Sequence, residues 1–195
     1  MNNLEGVLDR TLLDPLRLVN LARLCVSIEE GSVPGYIVEV GVFRGGSAKF
    51  LAQTNAGREV HVFDTFEGIP TEPWELDGHK RGDFASDFED VKAYLSDCPN
   101  VTIHRGVFPI TWPKGLSPIA LAHVDVDMEA VAREAIVLLW PLLSPGGFLV
   151  FDDYGADSCR GVKRAVDEMF GERVVLGPAP QAWVQKVFMD DRRGL

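Results

Sequence analysis

The stretch "IVEVGVFRGGSAKF", residues 37–50, reads as an apolar strand, a tight glycine turn and the start of a helix. A short run that is apolar on both faces is typical of a strand in a buried parallel sheet. A strand that passes through a glycine turn into a helix is the first half of a βαβ unit. The stretch therefore predicts an α/β fold with a ligand-binding turn at the end of its first strand.

The rest of the chain continues this alternation of short apolar runs and amphipathic segments. We predict strands at residues 36–42, 60–64, 101–104, 119–124 and 147–151. We predict helices at residues 46–55, 87–97, 128–143 and 158–170. This order predicts a doubly wound sheet with helices on both faces. The tail, "RVVLG" followed by "AWVQKVF", has no helix between its two runs and predicts a terminal antiparallel hairpin.

The composition limits the domain count and the partners. The 195 residues, 46% of them hydrophobic, fit an N-terminal helical segment (1–35) followed by one α/β domain (36–195). The net charge of -10 argues against nucleic acid or an anionic membrane as a partner, and no apolar run approaches the ~18 residues of a membrane span. Three scattered cysteines form no disulfide framework, so a cytoplasmic location is expected.

Three glycines shape the turn after the first strand: Gly41, Gly45 and Gly46. Gly41 permits a sharp turn, and the other two allow the backbone to approach a ligand where the helix begins. The spacing is G-x-x-x-G-G instead of the dinucleotide fingerprint G-x-G-x-x-G, and Phe43 stands where that fingerprint has its second glycine. Because a side chain there obstructs a pyrophosphate, the turn favours a ligand without one.

Two acidic residues lie near the turn. Glu39 lies within the apolar strand, where a buried carboxylate is costly unless a cation or a hydrogen-bond donor meets it, and the ammonium group of an amino acid would do so. Asp64 ends the second strand, in the place of an acidic residue that accepts hydrogen bonds from ribose hydroxyls. Together they indicate a nucleoside joined to an amino acid, so S-adenosylmethionine is the predicted cofactor. The alternative is a turn that merely packs helix against strand.

Two further strands end in paired aspartates. "LAHVDVD" ends in Asp125 and Asp127, and "FLVFDD" ends in Asp152 and Asp153. If these strands are neighbours, their ends meet in one crevice, where two like charges about 4 Å apart repel by about 4 kcal/mol at an effective dielectric constant near 20. A bound divalent cation would relieve the repulsion, and all-oxygen ligands favour Mg²⁺ or another hard cation. The alternative role for these aspartates is to cap the helix and the turn that follow them.

A cation at these strand ends would acidify an acceptor hydroxyl, and a nearby carboxylate could then take the proton. We assign this role of general base to Asp127. His123 is a rival base on the same strand, although a histidine so deep in a strand more often belongs to the core. The aperiodic residues 67–86 are expected to form a lid. Candidates to contact an acceptor, each with a solvated or core-packing alternative, are His79, Trp74 and Trp112.

Five motifs, in the same order along the chain, resemble those of the TylF-type (macrocin/novobiocin) sugar O-methyltransferases. They are "GYIVEVGVFRGGSA", "VFDTFEGIP", "RGVFPIT", "AHVDVDM" and "PGGFLVFDDYG". The resemblance implies the Rossmann-like class I methyltransferase fold, with a seven-stranded, mostly parallel sheet, helices on both faces and a C-terminal antiparallel hairpin. It also implies that residues 36–195 form an S-adenosylmethionine-dependent methyltransferase domain that uses Mg²⁺ and acts in natural product biosynthesis.

The resemblance further implies a set of site residues. Those expected to contact S-adenosylmethionine are Glu39, Gly41, Gly46, Ser47, Asp64, Phe66, Gly106, Phe108 and Asp125. Those expected to bind the metal are Asp125, Asp152 and Asp153, and Asp127 matches the general base.

Three hypotheses about function follow. The leading one is a metal-dependent O-methyltransferase that acts on a hydroxyl of a small molecule, a sugar or a glycosylated metabolite. The alternatives are a metal-dependent hydrolase whose aspartates activate water and a non-catalytic S-adenosylmethionine-binding protein. The predicted partner is the small-molecule acceptor, with neither nucleic acid nor membrane, and a homodimer is left open.

Overall fold

The computed structural model of the protein describes residues 4–70, 72 and 76–187. The strands are Tyr36–Val40 (β1), Val60–Asp64 (β2), Val101–Arg105 (β3), Ile119–Val124 (β4), Leu143–Phe151 (β5), Val175–Leu176 (β6) and Ala182–Gln185 (β7). The helices are Leu4–Leu8 (α1), Pro15–Glu30 (α2), Gly46–Thr54 (α3), Phe88–Tyr94 (α4), Glu129–Leu142 (α5) and Arg160–Phe170 (α6). In the described part of the chain, no helix is both long and apolar enough to cross a membrane.

The seven strands form one sheet in the order β3-β2-β1-β4-β5-β7-β6. Strands β1 to β5 pair in parallel, and β7 pairs antiparallel with both β5 and β6. The predicted fold class, including the terminal antiparallel hairpin, is confirmed. The strand order reverses between β1 and β4, and ligands of open α/β sheets bind beside such a reversal, at the carboxyl ends of the strands.

The predicted element boundaries needed small corrections. β1 ends at Val40, two residues before its predicted end, because the glycine turn begins at Gly41. β5 begins at Leu143, four residues before its predicted start, so the "SPGG" that reads as a turn lies within the strand. α2 begins at Pro15, which suits the first turn of a helix, and the Asp14 carboxylate accepts hydrogen bonds from the backbone N–H groups at its start.

The N-terminal segment is part of the same packed body as the sheet. Leu18, Leu21 and Ile28 on α2 are fully buried, and they pack in one cluster with β1 and β5 residues such as Ile37 and Val150. A second apolar cluster, between the sheet and helices α5 and α6, fills the opposite face. The predicted boundary at residue 35 therefore marks where the sheet begins, and the residues before it supply one wall of the core.

The glycine turn is held by close backbone contact between β1 and β4. Gly41 has φ +91°, and a Cβ atom there would lie 1.7 Å from the carbonyl oxygen of Asp125. The Asp125 N–H donates to the carbonyl of Val40 at 2.8 Å, so the two strand ends are joined beyond the last paired residues. A glycine at this position therefore sets the spacing of the strand ends on which the aspartates lie.

Hydrogen bonds join parts of the stretch 67–86 to one another and to the rest of the fold. Ile69 donates its N–H to the carbonyl of Asp83 at 3.0 Å, and Ser86 donates to Phe66 at 3.1 Å. Asp77 forms an isolated antiparallel bridge with Cys159, just before α6. Its role as a lid stays a prediction, and Trp74 lies outside the described residues.

We predict that Gly41→Ala lowers the free energy of unfolding by roughly 3–5 kcal/mol, because the added Cβ meets backbone and the left-handed φ is strained. Urea denaturation checks this result. Gly57→Ala is the control, since among the described residues no atom beyond the chain neighbours lies within 4 Å of a Cβ built at that position. Equal stability of the two variants would contradict the proposed contact.

Candidate active site

A cavity of about 300 Å³ opens where the five parallel strands end. Its floor consists of the segments that follow β1 to β5, and Thr11, Leu12 and Arg17 close one side from the N-terminal segment. The predicted site residues that line it are Gly41, Ser47, Asp64, Gly106, Phe108, Asp125, Asp127, Asp152 and Asp153. The structure thus gathers most of the predicted site in one cavity of the size that binds small molecules.

Three of the four aspartates form a tight cluster. Val124 of β4 pairs with Phe151 of β5, so Asp125 and Asp152 leave adjacent strands at the same level. One carboxylate oxygen from each of Asp125, Asp152 and Asp153 lies within 4.8 Å of the others. The predicted adjacency of the two aspartate pairs is confirmed.

Burial and mutual repulsion perturb these carboxyl groups. Burial, reinforced by the charges of Asp152 and Asp153, raises the pKa of Asp125 well above its usual range. Burial, reinforced by Asp127 and Asp152, does the same to the pKa of Asp153. Burial also acts on Asp152, but His123 and Arg17 outweigh it and lower the pKa of that carboxyl. The cluster therefore holds one ionised carboxylate beside two groups that ionise with difficulty.

Two cationic side chains partly balance the cluster. The Arg17 guanidinium makes a short ion pair with Asp152 and a second one, at 3.1 Å, with Asp14. Arg17 reaches the site from α2, and its Nη2 group also donates to the carbonyl of Leu12 at 2.6 Å. Arg17 and Asp152 are 135 positions apart in the chain, so sequence reasoning missed this residue.

His123 is the second cation, and it lies fully buried between two carboxylates. Its Nδ1 atom is 3.0 Å from Oε1 of Glu39, and its Nε2 atom is 3.6 Å from Oδ1 of Asp152. Burial disfavours the imidazolium, but Asp152 and Glu39 outweigh it and raise the pKa of His123 to about 10. Both ring nitrogens of His123 face these carboxylates, and the side chain is fully buried and does not line the cavity, which argues against His123 as the base.

The same pair gives Glu39 a cationic partner within the protein. We expected its buried carboxylate to meet the ammonium group of a ligand, but the protein supplies the cation itself through His123. Glu39 lies behind the cavity lining, and its Oε2 atom has no hydrogen-bond partner among the described residues. Its assignment to the cofactor stays a prediction.

Asp127 lies at the cavity mouth in a left-handed conformation, with φ +59°. Its Oδ1 atom is 3.6 Å from Nε2 of His79 and 3.5 Å from Sγ of Cys159. Burial raises the pKa of this carboxyl, which brings it closer to the pKa of an effective general base at neutral pH.

The alternative that Asp127 caps α5 is wrong. The helix cap is Met128, without a side-chain hydrogen bond, and the N–H of Glu129 instead donates to Oδ1 of Asp77 at 3.0 Å. Asp153 does accept a backbone hydrogen bond, from the N–H of Asp127 at 3.0 Å. That bond joins the two aspartate pairs and orients Asp127.

The Asp64 carboxylate organises the glycine turn. Its Oδ2 atom accepts hydrogen bonds from the N–H groups of Val42 at 2.6 Å and Phe43 at 3.0 Å. Its Oδ1 atom accepts from Phe66 N–H at 2.7 Å. Carboxylate oxygens have about four acceptor positions, so Asp64 can hold the turn and still accept one more donor from a ligand.

Two other residues predicted to contact the cofactor lie outside the cavity lining. A Cβ on Gly46 would lie 2.5 Å from the carbonyl oxygen of Val7, so that glycine is covered by the N-terminal segment instead of approaching a ligand. The Phe66 ring is buried and packs at 5.1 Å against Phe88. The roles assigned to both stay predictions.

The remaining aromatic candidates form part of the packing. Trp112 stacks on the Phe63 ring with ring centres 5.1 Å apart, and His104 stacks on the same ring with centres 4.4 Å apart. His61 and His104 contact each other through ring nitrogens 3.0 Å apart. These contacts favour the core-packing interpretation of Trp112.

The three clustered aspartates fit a hard divalent cation. They offer three oxygen ligands close together, which is the donor set that Mg²⁺ prefers. A double positive charge would also stabilise the ionised forms of Asp125 and Asp153, whose pKa values are raised.

We predict that His123 stabilises the metal-free protein in a pH-dependent manner. Because its pKa is raised in the folded state, the contribution is complete below the ordinary value of 6.5 and is lost as the pH rises through about 10. In EDTA, the stability lost on His123→Gln should therefore be larger near pH 6.5 than near pH 10, by roughly 2–4 kcal/mol.

Urea unfolding of wild type and variant at several pH values measures this difference. His61→Gln is the matched control with the opposite sign, because burial lowers the pKa of His61 and its charging opposes folding at low pH. A loss on His123→Gln that does not change with pH would contradict a protonated His123.

Comparison with known proteins supports this description. The family model for macrocin O-methyltransferase (TylF) matches residues 7–181. The 8-demethyl-8-(2,3-dimethoxy-alpha-L-rhamnosyl)-tetracenomycin-C 4'-O-methyltransferase of Streptomyces olivaceus is 34% identical over 77% of this chain and 64% of its own length. Demethyldecarbamoylnovobiocin O-methyltransferase of Streptomyces niveus is 28% identical over 81% of this chain and 66% of its own length. The chain thus spans about two thirds of the length of these relatives.

Solved structures share the same architecture. The O-methyltransferase NovP superimposes with a TM-score of 0.80 at 25% identity, over 91% of this chain and 82% of that one. The calicheamicin methyltransferase CalS11 superimposes with a TM-score of 0.78 at 23% identity, over 94% and 83% of the two chains. The fold is therefore that of the class I methyltransferases, and the chain belongs to the macrocin O-methyltransferase (TylF) family.

Proposed function

We propose that this protein transfers a methyl group from S-adenosylmethionine to a hydroxyl of a sugar or a glycosylated small molecule. The observation that carries the proposal is a single cavity that contains both the glycine turn with Asp64 and the aspartate cluster with Asp127. Membership of the family supports the reaction, and the names of the relatives, which specify O-methylation of a rhamnosyl tetracenomycin and of a novobiocin precursor, support a glycosylated acceptor.

The donor half of the cavity suits a nucleoside. Asp64 is fixed by three backbone N–H groups, so its remaining acceptor position has a defined direction for a ribose hydroxyl. Phe108 and Val107 line the turn after β3 and provide an apolar surface for a base. The turn has Phe43 in place of a pyrophosphate-binding glycine, which fits a donor without a diphosphate.

The half of the cavity that would bind the acceptor requires a group that removes the proton of the acceptor hydroxyl. Asp127 has a raised pKa, contacts the cavity and is oriented by the hydrogen bond from its own N–H to Asp153. Its carboxylate would accept the proton of the acceptor hydroxyl as the oxygen attacks the methyl group. Apolar side chains around it, including Leu12 and Ile69, would limit the access of water during the transfer.

The proposal includes a divalent cation, Mg²⁺ or a similar hard ion. Asp125, Asp152 and Asp153 would hold it, and its chemistry there is to lower the pKa of a bound hydroxyl and to orient that group. Arg17 and Gln181, whose Nε2 donates to Oδ1 of Asp152 at 2.9 Å, would keep that carboxylate in place. A hydrolase using the same aspartates would leave the Asp64 turn without a role in the cavity.

We predict that Asp127→Asn reduces methyl transfer by about 100- to 10,000-fold, because an amide cannot accept the proton of the hydroxyl. The affinity for S-adenosylhomocysteine should stay unchanged, because Asp127 lies on the acceptor side. Transfer of a labelled methyl group to a panel of deoxysugar glycosides with Mg²⁺ present, together with isothermal titration of S-adenosylhomocysteine, measures both quantities.

The matched control is Asp157→Asn, an exposed aspartate in the turn between β5 and α6, which should transfer methyl groups at the wild-type rate. Wild-type rates in Asp127→Asn would show that another group takes the proton. Absence of S-adenosylhomocysteine binding to the wild-type protein would refute the proposed function itself.

A further inference from the structure

A second group of potential metal ligands lies beside the three clustered aspartates, and one of its members, Asp127, lines the cavity. It consists of Nε2 of His79, Oδ1 of Asp127 and Sγ of Cys159, all within 4.8 Å of one another. The three residues come from separate parts of the fold: the segment after β2, the turn after β4 and the residue before α6. We propose that these three side chains form a second cation site, which binds Zn²⁺ or a similar borderline ion.

The spacing of the ligand atoms fits tetrahedral coordination of zinc. Bonds of about 2.3 Å to sulfur and about 2.0–2.2 Å to nitrogen or oxygen place neighbouring ligand atoms roughly 3.3–3.6 Å apart. The Asp127 oxygen lies 3.5 Å from the sulfur of Cys159 and 3.6 Å from the nitrogen of His79. Three protein ligands leave the fourth position for water or another small ligand.

The donor set separates this site from the aspartate cluster. A thiolate and an imidazole favour zinc, cobalt and other borderline metals, whereas carboxylates alone favour Mg²⁺. Cys159 is 1% exposed, and its sulfur lies 3.5 Å from the Asp127 oxygen inside the protein. As a metal–sulfur bond forms, the thiol proton passes to the solvent.

A second layer of contacts supports the histidine. Ligating histidines usually present their other ring nitrogen to a carboxylate or a carbonyl. Nδ1 of His79 faces Oδ2 of Asp83 at 4.0 Å, an ion-pair distance that is longer than a hydrogen bond. The same Asp83 oxygen accepts the N–H of Lys80 at 3.0 Å, which holds the carboxylate in place. The Phe84 ring packs edge-on against the imidazole, with ring centres 4.9 Å apart.

The segment that carries His79 is also tied to the cysteine. Gly78 donates its N–H to the carbonyl of Ser158 at 2.6 Å, next to Cys159 in the chain. An ion can reach the site, because the side chains of His79 and Asp127 remain 24% and 20% exposed. The ligand identities, the two distances to the Asp127 oxygen and an entry path therefore agree with a zinc site.

Zinc at this site would engage the carboxylate that is proposed to act as the base. This consequence, unlike binding itself, rests on the proposed function: zinc would inhibit methyl transfer while Mg²⁺ stays on the aspartate cluster. The site would thus make the reaction sensitive to borderline metals, through the same carboxylate that the reaction uses.

Cobalt is the probe for the test, because a cobalt–thiolate bond gives a charge-transfer absorption in the near ultraviolet. The reduced full-length protein is titrated with Co²⁺ under anaerobic conditions and in excess Mg²⁺, which fills the hard site. We expect the absorption to saturate at one Co²⁺ per chain and to disappear when one equivalent of Zn²⁺ is added. Failure of the wild-type protein to develop the absorption in excess Co²⁺ would overturn the proposal, whatever the enzyme activity.

Variants identify the ligands. Cys159→Ser should abolish the absorption, and His79→Ala should weaken Co²⁺ binding by at least about 100-fold, since loss of an outer contact alone costs about 10- to 100-fold. His79 is partly exposed, so its variant is expected to fold, and circular dichroism verifies this for both proteins. Cys98→Ser is the matched control, because Cys98 also lies 3.5 Å from an aspartate oxygen, that of Asp97, and should leave the absorption unchanged. Loss of the absorption in Cys98→Ser, or its retention at full affinity in His79→Ala, would refute the assignment.

Discussion

The repulsion among buried carboxylates at two adjoining strand ends is the constraint on which the site depends. The parallel pairing of β4 with β5 forces Asp125, Asp152 and Asp153 together, and burial makes their charges costly. Two internal cations, Arg17 and His123, partly compensate for these charges, and both form ion pairs with Asp152. Their two charges leave Asp125 and Asp153 with raised pKa values, and this residual imbalance is what a divalent cation would remove.

The same constraint explains contacts at a distance from the cluster. His123 is a cation because Asp152 and Glu39 both face it, Glu39 across the β1–β4 pairing, so a pair within the sheet stabilises a carboxylate at the carboxyl end of β5. Arg17 lies on α2, so the N-terminal segment contributes charge to the site as well as apolar contacts to the core. The fold and the electrostatics of the cavity are therefore linked through a few ion pairs. Loss of any one of these pairs would change the charge balance of the carboxyl groups at the strand ends.

The sequence was sufficient to predict the strands, the sheet class and the meeting of the aspartates, because the runs "LAHV" and "FLVF" are nearly all apolar and are followed directly by aspartates. The sequence was not sufficient to predict the ion pair of Arg17 with Asp152, since no local pattern relates a residue of α2 to that aspartate. The Glu39–His123 pair did leave a signal: Glu39 precedes Gly41 by two residues, and His123 precedes Asp125 by two. Aligning the two strands on their ends places the pair side by side, as the register confirms. The group of His79, Asp127 and Cys159 could not be predicted from the sequence, because His79 lies in an aperiodic stretch whose path no pattern specifies.

The most direct test of this account is the anomalous scattering of a crystal grown with Mn²⁺, a hard cation that can replace Mg²⁺. The account predicts a strong anomalous peak coordinated by the carboxylates of Asp125, Asp152 and Asp153. A map without a peak there, in which the three carboxylates have the same arrangement as in crystals grown with EDTA, would contradict it. In that case Arg17 and His123 alone would balance the charge of the clustered aspartates, and methyl transfer would have to proceed without a metal.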